Sequence, residues 1–409
     1  MATTPEMRLS RASVLRYAAS IEDLRKIAAR KLPRMVFDYI DGASGDEATA
    51  RRNRSGFDHF LLQPEILVDV SAVDLGCELL GERIAMPLVI GPTGLNGAYW
   101  PHGDLCLARA ARAEDIPFVM STAATVRLER LAQAAGPLRW FQLYMFKDRG
   151  LVRALLERVR QNGFSVLQLT VDTPVPGRRN RDICNGFSLP FRWTVRNLMD
   201  TARHPLWAAR MLGAGTPNLE LFAEFVGKTP HGSTIGEVLQ QQISRSLTWE
   251  DLAWLRQEWG GKLVLKGVSA PGHIRMALAN GLDGVVVSNH GGRQLDGAPS
   301  TIELLPRLAD AAAGSKLAIL VDSGFRHGAD IAKALALGAD GVQLGRPTLY
   351  GLAAAGEAGV RHALRILRED LERALALSGA RQVAEIRGRA TRSPGSPGTD
   401  FPPRARHPG

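Results

Sequence analysis

His290 has the side chain with the widest chemical scope in this sequence. It follows the apolar run GVVVSN and precedes Gly291, Gly292 and Arg293. An imidazole gains and loses a proton near neutral pH, so it suits general acid or base work. Two glycines beside it let a bound molecule approach the backbone closely. Asp172 ends another apolar run, SVLQLTVD. It reads either as the carboxylate that holds a histidine in one tautomer and balances its charge, or as a cap on the following turn. Arg179 and Arg293 either clamp a carboxylate between two planar forks or stand as surface charge. Lys266, in KLVLKG, is either a snorkelling end residue or a buried cation beside an anionic group. The segments DSGFRHG and LGRPTLYG carry Asp322, Gly324, Arg326, Gly345 and Arg346. Backbone N–H groups and a helix N-terminus at such glycines can meet a phosphate. Turn glycines and surface arginines are the competing reading.

These residues share one feature of placement. Each lies at or just after a short apolar run, and eight such runs recur from about residue 85: PLVIGP, PFVMST, RWFQLY, SVLQLTVD, KLVLKG, GVVVSN, LAILVD and GVQLGR. Between most of them lie helical patterns such as DRGLVRALLERVRQNG and GADIAKALALGAD. Strand and helix in alternation imply a parallel sheet with helices outside it. The runs are too uniformly apolar for half-exposed strands, so both faces should be buried. The predicted fold is α/β, a (β/α)8 barrel in which the loops after the strands carry the chemistry. Polar residues gather at those loops: Pro92, Thr93 and Gly94, then Ser121, Gln142 with Tyr144, Thr170, and Ser288. N-terminal helices precede the barrel, read from IEDLRKIAARKLPRMVFDYIDGAS with a break at Pro33 and a stop at Gly42.

One connection breaks the rhythm. About 90 residues separate the fourth and fifth runs, far more than an ordinary βα loop. The predicted organisation is a loose arm over residues 1–20 and a barrel domain over 21–385. An insert occupies about 188–245, and a disordered basic tail rich in Pro, Gly, Ser and Arg closes the chain over 386–409.

Composition removes several classes. The 409 residues carry 51 Lys+Arg against 41 Asp+Glu, a net charge of +10, with 45% hydrophobic residues. That content supports a large core and excludes a wholly disordered chain. The positive surplus favours anionic partners without choosing among them. Cys77, Cys106 and Cys184 lie far apart, which excludes a disulfide scaffold or a cysteine zinc site. The nine histidines lack metal-ligand spacing, so no metal is expected. Aromatic residues are 6% and not interleaved with the basic ones in the barrel, which argues against nucleic acid. Gly227-Lys228-Thr229 resembles the end of a phosphate loop, but Phe222 stands where the leading glycine is required. There is no signal-peptide shape and no apolar run of spanning length, so a cytoplasmic chain is expected.

The runs SNHGGRQLDG and VDSGFRHGADIAKALALGADGVQLGRP resemble the signature of the FMN-dependent (S)-2-hydroxy acid dehydrogenases and oxidases. KLPRMVFDYIDG, IGPTGLNGAYWP, FQLYMFKDR and LTVDTPVPGRRNRD match as well, over residues from about 20 to 385. Within the family the likeness runs to its membrane-associated mandelate-oxidising branch, including the long insert with HPLW. The resemblance implies FMN as cofactor and oxidation of an (S)-2-hydroxy acid to a 2-oxo acid. It implies Pro92, Thr93 and Gly94 at the reactive flavin edge. Ser121, Gln142, Thr170 and Ser288 would bond the ring and ribityl chain, and Lys266 would sit near ring N1. Asp322, Gly324, Arg326, Gly345 and Arg346 would hold ribityl and phosphate. Tyr39, Arg179 and Arg293 would bind the substrate carboxylate, and Tyr144 would contact the 2-hydroxyl region. His290 would be the base, assisted by Asp172. His327 stands where relatives often carry a second arginine.

Two positions bear on substrate. Gly94 stands where glycolate-oxidising members have alanine, and Ala123 where they have tryptophan. Both remove bulk, so an aromatic acid such as mandelate is expected, with L-lactate oxidation or an oxygen-using oxidase as the alternative. The insert interleaves Arg192, Arg196, Arg203 and Arg210 with Trp193, Leu198, Met199, Leu206, Trp207, Met211 and Leu212. It reads either as a basic amphipathic surface for anionic lipid or as a lid on the barrel. A quinone chain or oxygen is the expected electron acceptor. The family also implies a homo-oligomer, often a tetramer. Two rival readings are an FMN-barrel isomerase or nucleotide dehydrogenase and a non-catalytic anion-binding barrel.

Overall fold

The computed structural model describes residues 15–187, 194–215, 218–226, 239 and 241–394. Most of the N-terminal arm, Arg192 and Trp193 of the insert, the Gly227–Thr229 motif and tail residues 395–409 lie outside these.

The chain begins with α1 (Ile21–Lys31) and α2 (Arg34–Asp41), separated at Pro33, followed by α3 (Ala48–Ser55). Ser20 caps α1 in a reciprocal box with Asp23, satisfying two amide donors that a helix start leaves unpaired. Short strand β1 (Phe60–Leu62) and a hairpin of β2 (Cys77–Leu79) and β3 (Glu82–Ile84) come next.

The apolar runs then form eight parallel strands: β4 (Leu88–Ile90), β5 (Phe118–Ser121), β6 (Arg139–Tyr144), β7 (Val166–Thr170), β8 (Lys262–Val268), β9 (Gly284–Val287), β10 (Ala318–Val321) and β11 (Gly341–Leu344). Each pairs with the next in sequence, and β11 closes on β4, so the sheet is a closed barrel. Closure removes the sheet edge that would otherwise present unpaired backbone groups. Strands β5, β7, β9 and β11 are buried at every position, as expected where helices cover one face and side chains fill the other. The lower barrel interior is packed by Val89, Val119, Trp140, Val166, Val264, Val286 and Leu320, against Leu79 and Ile84 of the hairpin. The hairpin is therefore a plug at the N-terminal end of the barrel. Its Glu82 accepts the Trp140 indole N–H at 2.8 Å and the Ser165 hydroxyl at 2.6 Å. The opposite end stays open for the strand-terminal loops.

The outer helices include α4 (Gly103–Ala113), α5 (Leu128–Ala135) and α6 (Arg149–Gln161). The long connection after β7 holds α7 (Asn180–Asn185), α8 (Val195–Ala202), α9 (Pro205–Ala214) and α10 (Glu220–Val226), with α11 (Trp249–Glu258) leading into β8. Then come α12 (Pro271–Ala279), α13 (Thr301–Ala311), α14 (Gly328–Ala336), α15 (Arg346–Ala355) and the long α16 (Glu357–Leu377).

One expectation differs from what is observed. The tail was expected to be disordered from residue 386, yet β12 (Ala390–Arg392) pairs antiparallel with β1. Buried Ile386 and ion pairs of Arg387 with Asp340 and Arg381 with Glu385 anchor the segment. Arg387 thus meets an acid distant in sequence, while Arg381 meets one a single helical turn away. Within the insert, read either as a lipid surface or as a lid on the barrel, Trp207 turns inward as in the lid reading. It is 4% exposed and donates its indole N–H to the Ala98 carbonyl at 2.9 Å.

Candidate active site

At the C-terminal mouth of the barrel lies a cavity of about 680 Å3. Its wall includes Tyr39, Pro92, Thr93, Gly94, Ser121 and Tyr144 from the first half of the chain. Arg179, Lys266, His290, Arg293, Asp322, Gly324, Arg326, Gly345 and Arg346 come from the second. Loops after strands β4 through β11 thus converge on one space, as the architecture requires. Gln142, Thr170 and Ser288 are buried just behind this wall, and Asp172 backs His290.

The loop that carries His290 follows β9. His290 Nδ1 meets Asp172 Oδ1 at 2.9 Å, which leaves Nε2 as the nitrogen available for proton transfer. Burial alone would raise the Asp172 carboxyl. The facing His290 and Lys266 outweigh it and hold the group below its ordinary value, so it stays ionised. Lys266 is 4% exposed. Burial opposes its charge, but Asp322 at 3.1 Å and Asp172 at 3.9 Å raise its pKa above the ordinary lysine value. A register shift between Lys266 and Val268 and the positive φ of 114° at Gly267 set this strand end. A side chain at Gly267 would meet Asp172 Cβ at 2.7 Å, so glycine is what lets β8 lie against Asp172. Lysine 266 is thus a buried, paired cation, which its position at the end of an apolar run left open.

Tyr39 gathers the two arginines. The Arg179 and Arg293 guanidinium carbons lie 5.1 Å and 4.9 Å from its ring centre. Phe187 stacks on the same ring at 4.4 Å. Arg293 Nη1 donates to the carbonyls of Tyr39 and Gly42, and Arg179 Nε donates to Asp182 at 2.6 Å. Both forks are thereby oriented while other N–H groups remain for an anion. Burial strongly raises the pKa of the Tyr144 phenol, with Asp172 and Tyr39 adding to it. Tyr144 therefore remains a neutral hydrogen-bond donor.

The polar wall suits a planar heterocycle with a phosphate arm. Ser121 Oγ donates to Gln142 Oε1 at 3.0 Å, while Gln142 Nε2 is buried without a protein partner. Gln343, on the wall, bonds Gln168 through its amide nitrogen and leaves Oε1 unpaired. Unpartnered buried amides beside a cavity are donors and acceptors for a ligand. Arg326 lies over the Tyr350 ring at 5.5 Å. Arg346 donates to the carbonyls of Ile40, Gly42 and Gly291 at 3.1, 2.8 and 2.8 Å. Its burial lowers its pKa to about 10. One N–H on each terminal nitrogen remains for the cavity. His327 points elsewhere, capping α14 together with Asp330.

The match to known families follows this geometry. Residues 28–393 match the FMN-dependent dehydrogenase family. The chain belongs to that family. This FMN-dependent dehydrogenase is 43% identical over 367 residues to (S)-mandelate dehydrogenase of Pseudomonas putida, covering 90% of this chain and 92% of that one. It is 42% identical over 365 residues to L-lactate dehydrogenase of Pectobacterium atrosepticum, covering 89% and 94%. Among solved structures, the monotopic membrane protein (S)-mandelate dehydrogenase superposes with a TM-score of 0.87 at 42% identity, covering 91% of this chain and 99% of that one. Mandelate oxidase with benzoylformic acid superposes with a TM-score of 0.78 at 34% identity, covering 92% and 98%. The cofactor of this FMN-dependent dehydrogenase is FMN, and the cavity's volume, unpaired amides and basic end fit it.

Several site features were not legible in the sequence. Ser323, Asn96 and Asp104 carry hydrogen bonds of the wall. Asp104 accepts from Asn96 at 2.7 Å and from the Thr125 hydroxyl at 2.6 Å, tying the loop of Thr93 to that of Ala123. Phe187, just before the insert, and Leu219 within it line the cavity. A buried acid in a helix such as GDLCLARAARA is the one signal that pointed to Asp104. Among the described residues no group of side chains could hold a metal ion.

Proposed function

We propose that this FMN-dependent dehydrogenase oxidises an (S)-2-hydroxy acid with a bulky side chain, such as mandelate, to the 2-oxo acid. The observation that carries this reading is the meeting of His290, Arg179 and Arg293 on one cavity. A substrate carboxylate bound by the two guanidinium groups and Tyr39 presents C2 and its hydroxyl to His290. Tyr144, a neutral donor, holds the 2-hydroxyl region. His290 Nε2 accepts the proton, from the hydroxyl if hydride leaves C2 or from C2 if a carbanion forms. Asp172 fixes the tautomer and stabilises the resulting imidazolium. FMN supplies the two-electron acceptor for the pair leaving the substrate. Pro92, Thr93 and Gly94 would lie at its reactive edge. Ser121, Gln142, Thr170, Ser288 and Lys266 would hold its ring and ribityl chain. Asp322, Gly324, Arg326, Gly345 and Arg346 would hold ribityl and phosphate. The Lys266 charge would stabilise negative charge building on the reduced ring.

Substrate size is argued from Gly94 and Ala123. A Cβ on Gly94 would sit 2.9 Å from Ala123 Cβ. The two positions pack against each other and both line the cavity, so having glycine and alanine there keeps bulk out of the wall where an aromatic ring would sit. The similarity to L-lactate dehydrogenases favours lactate as the second reading. Anaerobic flavin reduction with (S)-mandelate, L-lactate and glycolate tests both. Fastest reduction by glycolate would refute the bulky-pocket reading.

The insert supports peripheral contact with the inner face of the cell membrane and a quinone chain as electron acceptor. Val195, Leu198, Leu206 and Leu212 are 74%, 53%, 70% and 85% exposed, with Arg196 and Arg203 beside them. Exposed apolar side chains among arginines suit an anionic lipid surface. Trp207 and α10 would hold the insert to the barrel while that outer face meets lipid. No helix among the described residues is long and apolar enough to cross a membrane. Vesicle flotation of Leu206→Ser/Leu212→Ser against the unaltered protein tests it; equal partition would refute the contact. A homo-oligomer such as a tetramer, packed through outer helices, is part of this proposal.

A further inference from the structure

We propose that Ser323 is a positioning residue for His290, tying the base-bearing loop to Asp322 through its hydroxyl. The inference rests on the reading of His290 as the base. Three non-glycine residues of the cavity wall hold left-handed backbone: Leu95 at φ 61°, His290 at φ 58° and Ser323 at φ 78°. Residues with a Cβ rarely adopt this region. Glycine would occupy position 323 without that strain, and Gly324 beside it is already left-handed at 90°. A strained serine calls for a compensating contact.

The contact is a two-armed grip on the loop. Ser323 Oγ donates to Asp322 Oδ1 at 2.7 Å and accepts from the Gly291 N–H at 3.0 Å. On the other carboxylate oxygen, Asp322 Oδ2 accepts from Ser288 Oγ at 2.9 Å. Ser288 Oγ in turn accepts from the His290 N–H at 3.0 Å and from Lys266 Nζ at 2.8 Å. One carboxylate thus fixes two serine hydroxyls, and these hold the amides of two successive residues. The Gly291 carbonyl is held by Arg346 Nη1 at 2.8 Å. Asp322 is itself anchored through its carbonyl by Thr301 Oγ1 at 2.6 Å. His290, Gly291 and Gly292 are all left-handed, at 58°, 68° and 76°. With two glycines in succession, the loop has little intrinsic preference for this path. The direction of the imidazole follows from it. Ser288 alone secures only the His290 amide; Ser323 adds the next one and so restricts rotation of the intervening peptide.

The test uses two variants of the FMN-loaded enzyme. Ser323→Gly removes both hydrogen bonds and also the strain. Ser323→Ala removes the bonds but keeps the strained Cβ. Both should lower kcat about 5- to 30-fold with KM within about twofold, because the carboxylate clamp is untouched. Only Ser323→Ala should lower the melting temperature. In the cofactor-free protein, hydrogen exchange of the segment containing Gly291 should quicken about tenfold or more in both variants. A merely structural role would make kcat follow melting temperature across the pair, and that result would overturn the proposal. Unchanged kcat in Ser323→Gly would overturn it as well. His290→Asn is measured beside them. If it abolishes flavin reduction while Ser323→Gly is fully active, the Ser323 inference alone fails. If His290→Asn turns over normally, the reading of His290 as base fails instead.

Discussion

Asp172 faces an imidazole with one oxygen and an ammonium with the other: Oδ1 lies 2.9 Å from His290 Nδ1 and Oδ2 lies 3.9 Å from Lys266 Nζ. One carboxylate therefore links His290 to the buried lysine. Asp172→Asn keeps the shape but cannot balance an imidazolium. We expect kcat to fall about 10²- to 10⁴-fold with flavin still bound. Stopped-flow flavin reduction measures it, and a loss below threefold would count against the proton-transfer role.

Gly94→Ala places a methyl group against Ala123, 2.9 Å from its Cβ. The wall must move into the cavity or the loop must shift. A pocket narrowed by one methyl discriminates by about 1–3 kcal/mol. We expect kcat/KM for mandelate to fall about tenfold or more, with a smaller fall for lactate. Parallel kinetics on the two acids give the ratio.

Arg293→Lys removes a planar fork whose Nη1 is held by the carbonyls of Tyr39 and Gly42 at 2.7 and 2.8 Å. A lysine keeps the charge but offers no second parallel donor. We expect weaker binding of a 2-oxo acid product analogue by about 1.5–3 kcal/mol, as for a lost charged hydrogen bond. Spectral titration of the oxidised flavin reads the dissociation constant directly.

Asp41 bears on acid stability. It accepts from Arg25 Nε at 2.6 Å, from Arg181 at 3.0 Å and from the Tyr350 hydroxyl at 2.8 Å. Burial would raise its carboxyl, but these donors hold it well below the usual range. A folded-state pKa below the unfolded value of about 3.9 stabilises the fold at every pH above that value. The contribution shrinks as pH falls below about 3.9 and is gone once the folded group protonates. Asp41→Asn should therefore cost about 2–4 kcal/mol at pH 7, and the gap to the unaltered protein should narrow in acid. Urea melts at pH 7 and pH 3.5 test the sign.

The barrel strands were legible because a parallel strand covered on both faces must be apolar throughout, and such a run is visible locally. The ends of those runs were legible for the same reason. A polar residue that closes an apolar run, such as His290 or Asp172, has nowhere to go but the mouth. The hairpin plug was not legible. Leu79 and Ile84 look like any short strand pair, and only the open lower end of the barrel gives them a place to pack. Nor could β12 be read in a Pro- and Arg-rich tail, because its partner, β1, lies more than 300 residues earlier.

The amino-acid sequence by itself determined the alternation of elements and the residue types at the strand ends, since these depend on local hydrophobic pattern and composition, and its motif runs carried the family resemblance. The tertiary structure decided which face each side chain takes. It turned Trp207 inward, brought Arg179 and Arg293 to one tyrosine ring, and left Ser323 in a strained backbone beside the histidine loop. Those outcomes depend on distances between residues far apart in the chain, and local sequence carries no record of such distances until the barrel closes.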